Sequence, residues 1–253
     1  MRRILACGAV AAVLMTAVSA FAAGDVKAPR SVTWSHGGPF GTYDRAALQR
    51  GFQVYAEVCA ACHGLRLIAF RNLTEIGLTE DEVKVIAADY TVEDGPDEEG
   101  EMFERDAKPS DYFPSPFPND NAARAANGGA LPPDLSLIVK ARAGGENYIY
   151  SLLTGYGDAP DDVAMGEGMS YNPYFSGHQI AMAAPLDDDL VEYADGTPAT
   201  VEQMAKDVTS FMAWAAEPTM EARKRMGIKV ILFLLVLTGL LYAVKRKVWA
   251  DVH

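Results

Sequence analysis

The sequence predicts a mainly α-helical domain with long irregular loops, followed by one C-terminal transmembrane helix. Three observations carry this. Apolar residues recur at helical spacing in Asp44 to Val58, Asn121 to Ala126 and Val201 to Ala216. The stretches between them are rich in Gly, Pro and Asp, and few alternate as strands do. Val230 to Val244 is apolar apart from Thr238 and Tyr242. The 253 residues hold one domain with extended loops and no evident internal repeat.

Taken in order, Met1 to Ala23 reads as a secretory signal. Arg2 and Arg3 form its positive start, Ile4 to Val18 is largely apolar, and Ala20-Phe21-Ala22 is an A-x-A cleavage site. The alternative is a retained anchor, but the small residues and short apolar core favour cleavage after about Ala22. The expected division is a signal peptide over 1–22, an exported domain over 23–222, a transmembrane helix with basic flanks over 223–247 and a cytoplasmic tail over 248–253. Cleavage removes Cys7 and leaves Cys59 and Cys62, so no disulfide framework is available.

The helix expected from Asp44 carries Leu48, Phe52, Tyr55, Cys59 and Cys62 at i, i+4, i+7, i+11 and i+14, one face of a 3.6-residue repeat. It leads into Cys59-Ala60-Ala61-Cys62-His63. This C-x-x-C-H spacing is the attachment signature of a c-type haem. Two thiols three positions apart can each add to a vinyl group on one porphyrin edge, and the following His offers a nitrogen to the iron. A thioredoxin-like pair does not require that His. A structural zinc site needs four ligands, which this chain's cysteines do not supply. The expectation is one haem c, bound through Cys59 and Cys62, with His63 on the iron. Haem attachment of this kind takes place outside the cytoplasm, so the export signal and the motif predict each other.

Val201 to Ala216 has Thr200 and Gln203 at capping-box spacing, and Pro218 ends it. Counted from Met226 to Val244, with Lys229 able to snorkel, the apolar span is 19 residues. At ~1.5 Å rise per residue this is close to a hydrocarbon thickness of ~30 Å. Arg223, Lys224 and Arg225 precede it and Lys245, Arg246 and Lys247 follow it. With both flanks basic, the positive-inside rule does not set orientation. The export signal does: it puts the domain outside and the tail from Lys245 to His253 inside.

Residues 24–228 carry 16 basic and 33 acidic side chains, a net of −17. Nucleic acid as a partner is excluded by that charge. Eight acids crowd between Glu93 and Asp106. Such runs are usually solvated loop; the functional alternative is steering of a basic partner.

The iron needs a sixth ligand or an open position. Besides His63 the chain has His36, His178 and His253, the last on the tail. Met204 and Met212 fall in a helical pattern and read as core, Met220 and Met226 lie near the membrane, and Met102 lies in the acidic run. Met182 stands in the apolar Ile180-Ala181-Met182-Ala183-Ala184-Pro185. From spacing alone Met182 leads, with Met165, Met169 and His178 open as alternatives.

From about Trp34 onward an ordered set of segments carries a resemblance. It includes Gly38-Pro39-Phe40-Gly41, Arg50-Gly51-Phe52-Gln53-Val54-Tyr55 with the haem motif, Asp94-Gly95-Pro96, and Ser110-Asp111-Tyr112-Phe113-Pro114. It continues through Ala122-Ala123-Arg124-Ala125-Ala126-Asn127, Leu131-Pro132-Pro133-Asp134-Leu135-Ser136, Tyr171-Asn172-Pro173-Tyr174-Phe175 and Trp214-Ala215-Ala216-Glu217-Pro218. C-x-x-C-H alone is common to all c-type cytochromes; this set resembles the cytochrome c1 family, the haem subunits of ubiquinol–cytochrome c oxidoreductases (cytochrome bc1 complexes).

The resemblance implies a c-type cytochrome haem domain and sharpens the site. Gly177, Ile180, Met182 and Pro185 match the family's G-x-x-I-x-M-x-x-P, so Met182 inherits the axial role. Arg124 matches the arginine that pairs with a haem propionate. The Leu131-Pro132-Pro133 loop matches the segment beside the proximal histidine, one of whose carbonyls accepts the imidazole N–H; which one is left open. The implied role is an electron-transfer subunit with no substrate chemistry of its own. Electrons come from the iron–sulfur (Rieske) subunit and leave to a basic cytochrome c. The implied partners are cytochrome b, the Rieske subunit and the lipid bilayer, in a dimeric complex. The implied location is the bacterial inner membrane, single-pass, with the haem domain on the periplasmic side. The competing classes are a peroxidase or gas sensor with an open sixth position, and an electron shuttle anchored alone.

Overall fold

The computed structural model describes residues 26–161 and 163–252; the expected signal peptide and His253 lie outside them. The elements in order are α1 (Arg45–Val54), a 3₁₀ helix (Phe70–Ile76), α2 (Glu80–Ala88), β1 (Thr91–Asp94), β2 (Phe103–Asp106), α3 (Asp120–Ala126), α4 (Gly145–Leu153), β3 (Ser170–Tyr171), β4 (Gln179–Ile180), α5 (Val201–Ala216) and α6 (Met220–Val248). The fold is mainly helical with long loops, as expected. β1 pairs antiparallel with β2, and β3 with β4.

α1 starts where Asp44 Oδ1 accepts the backbone N–H groups of Ala46 and Ala47, at 3.0 and 3.3 Å. Its apolar face buries Leu48 and Phe52, with Tyr55 just beyond, against α5. Gly51 makes that crossing possible, because a Cβ there would sit 2.1 Å from the Asp207 carbonyl. Beside this contact the buried Asp207 carboxylate accepts Nε and Nη2 of Arg50, at 2.8 and 3.2 Å, and Nε2 of Gln203, at 2.9 Å. A buried carboxylate is tolerable only with such a full set of donors. Phe52, Tyr55, Phe70, Phe113, Phe211 and Trp214 close the core in edge and tilted ring contacts.

α5 spans the residues read from the sequence, and Met204 and Met212 are core, as expected. The capping box at its start is half formed. Thr200 Oγ1 accepts the Gln203 N–H at 3.2 Å, but the Gln203 side chain turns inward to Asp207 rather than back to the cap. The buried charge outcompetes the exposed cap. Reciprocal capping occurs instead at α2, between Thr79 and Glu82.

The acidic run is not a plain loop. Its two ends form the β1–β2 hairpin, with Thr91 opposite Asp106 and Asp94 opposite Phe103. Arg105 holds it, pairing with Asp94 at 2.5 Å and Asp111 at 2.6 Å. Alternation failed to announce these strands because both faces are largely exposed and charged.

α6 is 29 residues long, ~43 Å at 1.5 Å per residue. It is the helix, among the described residues, long and apolar enough to cross a membrane, and it fits a single-pass anchor at the C-terminal end. Its first turn belongs to the domain: Met220 is buried, and Glu221 Oε1 accepts the Tyr43 N–H at 2.8 Å. The expected start of the span at 223 therefore lies inside α6. The basic residues before the span are also engaged. Arg223 pairs with Glu217, Lys224 Nζ donates to the carbonyls of His36 and Gly41 at 2.6 and 3.1 Å, and Arg225 donates to the Glu221 carbonyl at 3.3 Å.

Candidate functional site

α1 ends in a widened turn over Tyr55–Cys59, closed by the Ala60 N–H donating to the Tyr55 carbonyl at 2.8 Å, one residue further than an α-helical bond. The extra residue ends the regular helix and rotates the motif that follows. Cys59 lies on this turn and Cys62 just after it, so the helical face read from the sequence holds through Tyr55 and then gives way. The N–H groups of Cys62 and His63 both donate to the Cys59 carbonyl, at 3.1 and 2.9 Å, which folds the five-residue motif into one compact turn. Neither cysteine is in a disulfide, and both are half-buried. Burial, and to a lesser degree the neighbouring Cys62, pushes the Cys59 thiol up to about 12.

His63 is oriented from the other side. Its Nδ1 lies 2.7 Å from the Pro133 carbonyl oxygen. A carbonyl only accepts, so Nδ1 carries the hydrogen and Nε2 presents its lone pair. Burial lowers the His63 pKa, against smaller opposing effects of the Pro133 bond and the Asp134 charge. The imidazole is therefore neutral at neutral pH, the form that ligates iron. Tyr55, fully buried, donates its hydroxyl to the His63 carbonyl at 3.2 Å.

The Pro133 segment is fastened to the motif residue by residue. Asp134 accepts the N–H groups of Arg66 (3.0 Å) and Ser136 (2.9 Å). Ser136 Oγ accepts the Leu67 N–H at 3.1 Å, and the Leu135 N–H donates to the Gly64 carbonyl at 2.8 Å. Residues 63–67 and 133–136 thus form a clamp. Sequence reading singled out this loop but neither the carbonyl nor the clamp. The acid immediately after Pro132-Pro133 and the serine two residues on were the available signal.

Arg124, on the last turn of α3, is exposed, and its Nη1 donates to the Gly129 carbonyl at 3.2 Å. It braces the start of the same loop that delivers Pro133. Met182 is carried by a separate segment. Gly177 adopts φ +76°, as does His178 at φ +60°, a left-handed pair that turns the chain into β4. Ile180 on β4 is buried, and Met182, two residues on in the loop, is half-buried. Leu186 buries beyond Pro185, so the methionine loop is anchored on both sides. The Gln179 side chain clips the Met165 loop, accepting the Gly166 N–H at 2.8 Å and donating to the Ala164 carbonyl at 3.0 Å. Met165 and Met169 line a cavity of about 350 Å³ with Tyr156 and Tyr171. His178 packs edge-on to Tyr171 at 6.0 Å. His36 lies elsewhere, against Glu146 and the root of α6.

Two cysteines on one turn, outside any disulfide, and a neutral imidazole with its Nδ1 hydrogen committed form a donor set that suits a covalently held haem. Comparisons with known proteins agree. A model of the cytochrome C1 family matches residues 34–252. Cytochrome c1 of Rhodospirillum rubrum is 53% identical over 235 residues, covering 87% of this chain and 86% of that protein. The cytochrome b-c1 complex catalytic subunit of Candida albicans is 53% identical over 239 residues, covering 94% and 83%. Cytochrome b/c1 of Bradyrhizobium diazoefficiens is 53% identical over 247 residues; the match takes in 89% of this chain but only 36% of that longer protein. With the Cys59–His63 turn, the clamp on His63 and the C-terminal helix all inside the matched span, the chain belongs to the cytochrome C1 family.

Proposed function

We propose that this protein is the haem-bearing electron carrier of a ubiquinol–cytochrome c oxidoreductase. It takes electrons from the iron–sulfur (Rieske) subunit and delivers them to a cytochrome c. Family membership implies a covalently bound haem c, which supplies a one-electron iron couple. One haem would be held through thioethers of Cys59 and Cys62. His63 Nε2 and the Met182 thioether would ligate the iron, and Arg124 would pair with a propionate. The single observation that carries this reading is the 2.7 Å contact between His63 Nδ1 and the Pro133 carbonyl. It fixes tautomer and ring orientation before any metal arrives, as a permanent ligand requires.

The residues then act by holding still. The clamp at Asp134 and Ser136 would keep the imidazole in one orientation whichever oxidation state the iron held. As a soft thioether ligand, Met182 would favour the ferrous form and raise the potential. With both His63 and Met182 given to the iron, the role proposed for this subunit is electron transfer alone. The signal peptide over 1–22 would export the domain to the periplasmic side of the bacterial inner membrane. α6 would dock it beside cytochrome b in a dimeric complex, leaving the tail cytoplasmic. The engaged residues at the start of α6 support this orientation: Lys224 serves domain carbonyls, whereas Lys245, Arg246 and Lys247 form an exposed basic end.

Solubilising membranes in mild detergent and purifying on this chain tests the proposal. Covalent haem, b-type haem and ubiquinol-dependent cytochrome c reduction should co-purify. Isolation of the chain with covalent haem but without b-type haem would return it to an electron shuttle anchored alone.

A further inference from the structure

The chain ahead of Trp34 is held along α4 in reverse order. The Val32 N–H and Trp34 Nε1 both donate to Asn147 Oδ1, at 3.1 and 2.9 Å, on the first turn of α4. The Arg30 N–H donates to the buried Ser151 Oγ at 2.8 Å, four residues on. The Arg30 guanidinium then bridges the end of the helix to another segment. Its Nη2 donates to the Thr154 carbonyl at 3.4 Å and its Nε to the Tyr174 hydroxyl at 3.0 Å. A cation is well placed at a helix C-terminus, and the planar fork of arginine lets it take a carbonyl and a phenol together. The Lys27 N–H donates to the Pro173 carbonyl at 2.9 Å. Residues 27–34 are thus a strap that crosses α4 and ends on the turn between β3 and β4.

That turn leads to Met182. Tyr174 is 2% exposed and packs so closely on the chain after α4 that a Cβ at Gly155 would lie 2.5 Å from its ring. Lys27 and Arg30 place their cations 5.3 and 5.8 Å from the ring centroid. The Tyr174 N–H donates to Asn172 Oδ1 at 3.1 Å, and the Asn172 N–H to the His178 carbonyl at 2.9 Å, which closes the turn onto β4. Asn172 Nδ2 donates to the Leu152 carbonyl at 2.8 Å, a second tie to α4. Met182 follows Ile180 of β4 by two residues. Past Pro185 a different element takes over. Gln53 and Arg50 of α1 donate to the Glu192 carbonyl and the Asp195 carboxylate, at 3.0 and 2.7 Å. The far side of the methionine loop therefore rests on α1, and the near side on α4 and the strap.

We propose that Arg30 is a positioning residue for Met182. By fixing the Tyr174 hydroxyl to the end of α4, it holds the β3–β4 turn, and with it the thioether, where the thioether can ligate. Arg30 has this role only if Met182 is the ligand, as proposed above, and the test separates the two. A soft thioether is held less firmly by ferric than by ferrous iron, so the oxidised protein is where a loosened turn shows.

Full-length haem-loaded protein in detergent is oxidised and mixed with imidazole, and binding to the iron is followed by stopped-flow absorption. Imidazole enters only when the sixth ligand leaves, so its rate reports how often that happens. Arg30 is exposed and Tyr174→Phe keeps the buried ring, so both variants should fold. Arg30→Ala and Tyr174→Phe should each bind imidazole about fivefold faster than the parent, the worth of one net hydrogen bond. The double variant should be no faster than either, because both changes remove one contact. Trp34→Phe cuts a strap bond at the other end of α4 and should stay within about twofold of the parent. Amide exchange at Asn172 and His178 should quicken in the Arg30 and Tyr174 variants, a readout that needs no iron ligand. A parent rate in either single variant overturns the positioning role. So does an effect that multiplies in the double variant, or one that Trp34→Phe shows equally, since general loosening would do both. The midpoint potential of Met182→Leu tests the ligand by itself. A fall keeps it, whatever the Arg30 variants do; the parent's value overturns it, and the role of Arg30 with it.

Discussion

The Pro133 carbonyl oxygen stands 2.7 Å from His63 Nδ1, and Asp134 fastens the peptide next to it to two backbone N–H groups of the clamp. The orientation of His63 is therefore set by a loop 70 residues away in sequence. Asp134→Ala removes the acceptor of two hydrogen bonds, and should cost about 2 kcal/mol of stability. Haem should remain attached, because both cysteines are untouched, but the midpoint potential should spread or shift as the imidazole loosens. Thermal melting followed at the haem absorption band, with a redox titration, checks both. An unchanged melt and potential would show that the clamp is held by Ser136 and Leu135 alone.

The hairpin beneath the acidic run should be sensitive to acid. Arg105 foremost, with the Lys108 N–H, holds the Asp111 carboxyl down at about 2, and Arg105 also depresses Asp94. A carboxylate depressed in the folded state contributes stability above its unfolded pKa of 3.8, and that contribution is lost as pH falls through the folded value. Amide exchange over Thr91–Asp106 should therefore stay slow at pH 5 and speed up between about pH 4 and 2. Arg105→Gln should remove the protection already at pH 5. Protection that is flat across that range, or unchanged in the variant, contradicts the Arg105 account.

The same hairpin presents its charge to solvent. Glu98, Glu99 and Glu101 are exposed at the tip. Replacing all three by Gln should slow electron transfer to a basic cytochrome c at low ionic strength and flatten its salt dependence, since steering acts mainly on encounter rate. At a Debye length of ~8 Å the two proteins should behave nearly alike. Stopped-flow measurements across a salt series decide; identical slopes for parent and variant would place docking elsewhere.

Truncation locates the boundary of the domain. Ending the chain after Arg225 keeps the Lys224 bonds to His36 and Gly41, whereas ending it after Glu221 loses them. Both products lack the apolar span and should be recovered outside the membrane, but the shorter should be less stable by about 2 kcal/mol. Denaturant melts compare them. Equal midpoints would mean that the first turn of α6 contributes nothing beyond Glu221.

Much of this was legible in the sequence because local chemistry dictated it. α5 follows from its repeat and Thr200 cap, and the long C-terminal helix from its apolar composition. What stayed hidden depends on contacts distant in sequence. The choice of Pro133 needs the clamp between 63–67 and 133–136. The half-made cap at Thr200 needs the buried Asp207 that draws Gln203 inward. The role of Lys224 needs the loop carbonyls at 36 and 41; in sequence it reads as one more basic flank. The hairpin escaped notice because its apolar residues, Val92 and Phe103, stand among charged ones on short, mostly exposed strands, so period-two alternation carries little signal.

The central claim is that Met182 completes the coordination begun by His63. Met182→Leu keeps the bulk of the side chain and removes its sulfur. The measurement is the midpoint potential of the purified full-length protein, taken together with carbon monoxide binding to its reduced form. The account predicts that haem stays covalently attached through Cys59 and Cys62, that the potential falls, and that carbon monoxide binds where it does not bind the parent. Should His178, four residues away, take the vacant position, the potential still falls while carbon monoxide stays excluded. A variant with the parent's potential and spectrum would contradict the assignment and move it to Met165 or Met169.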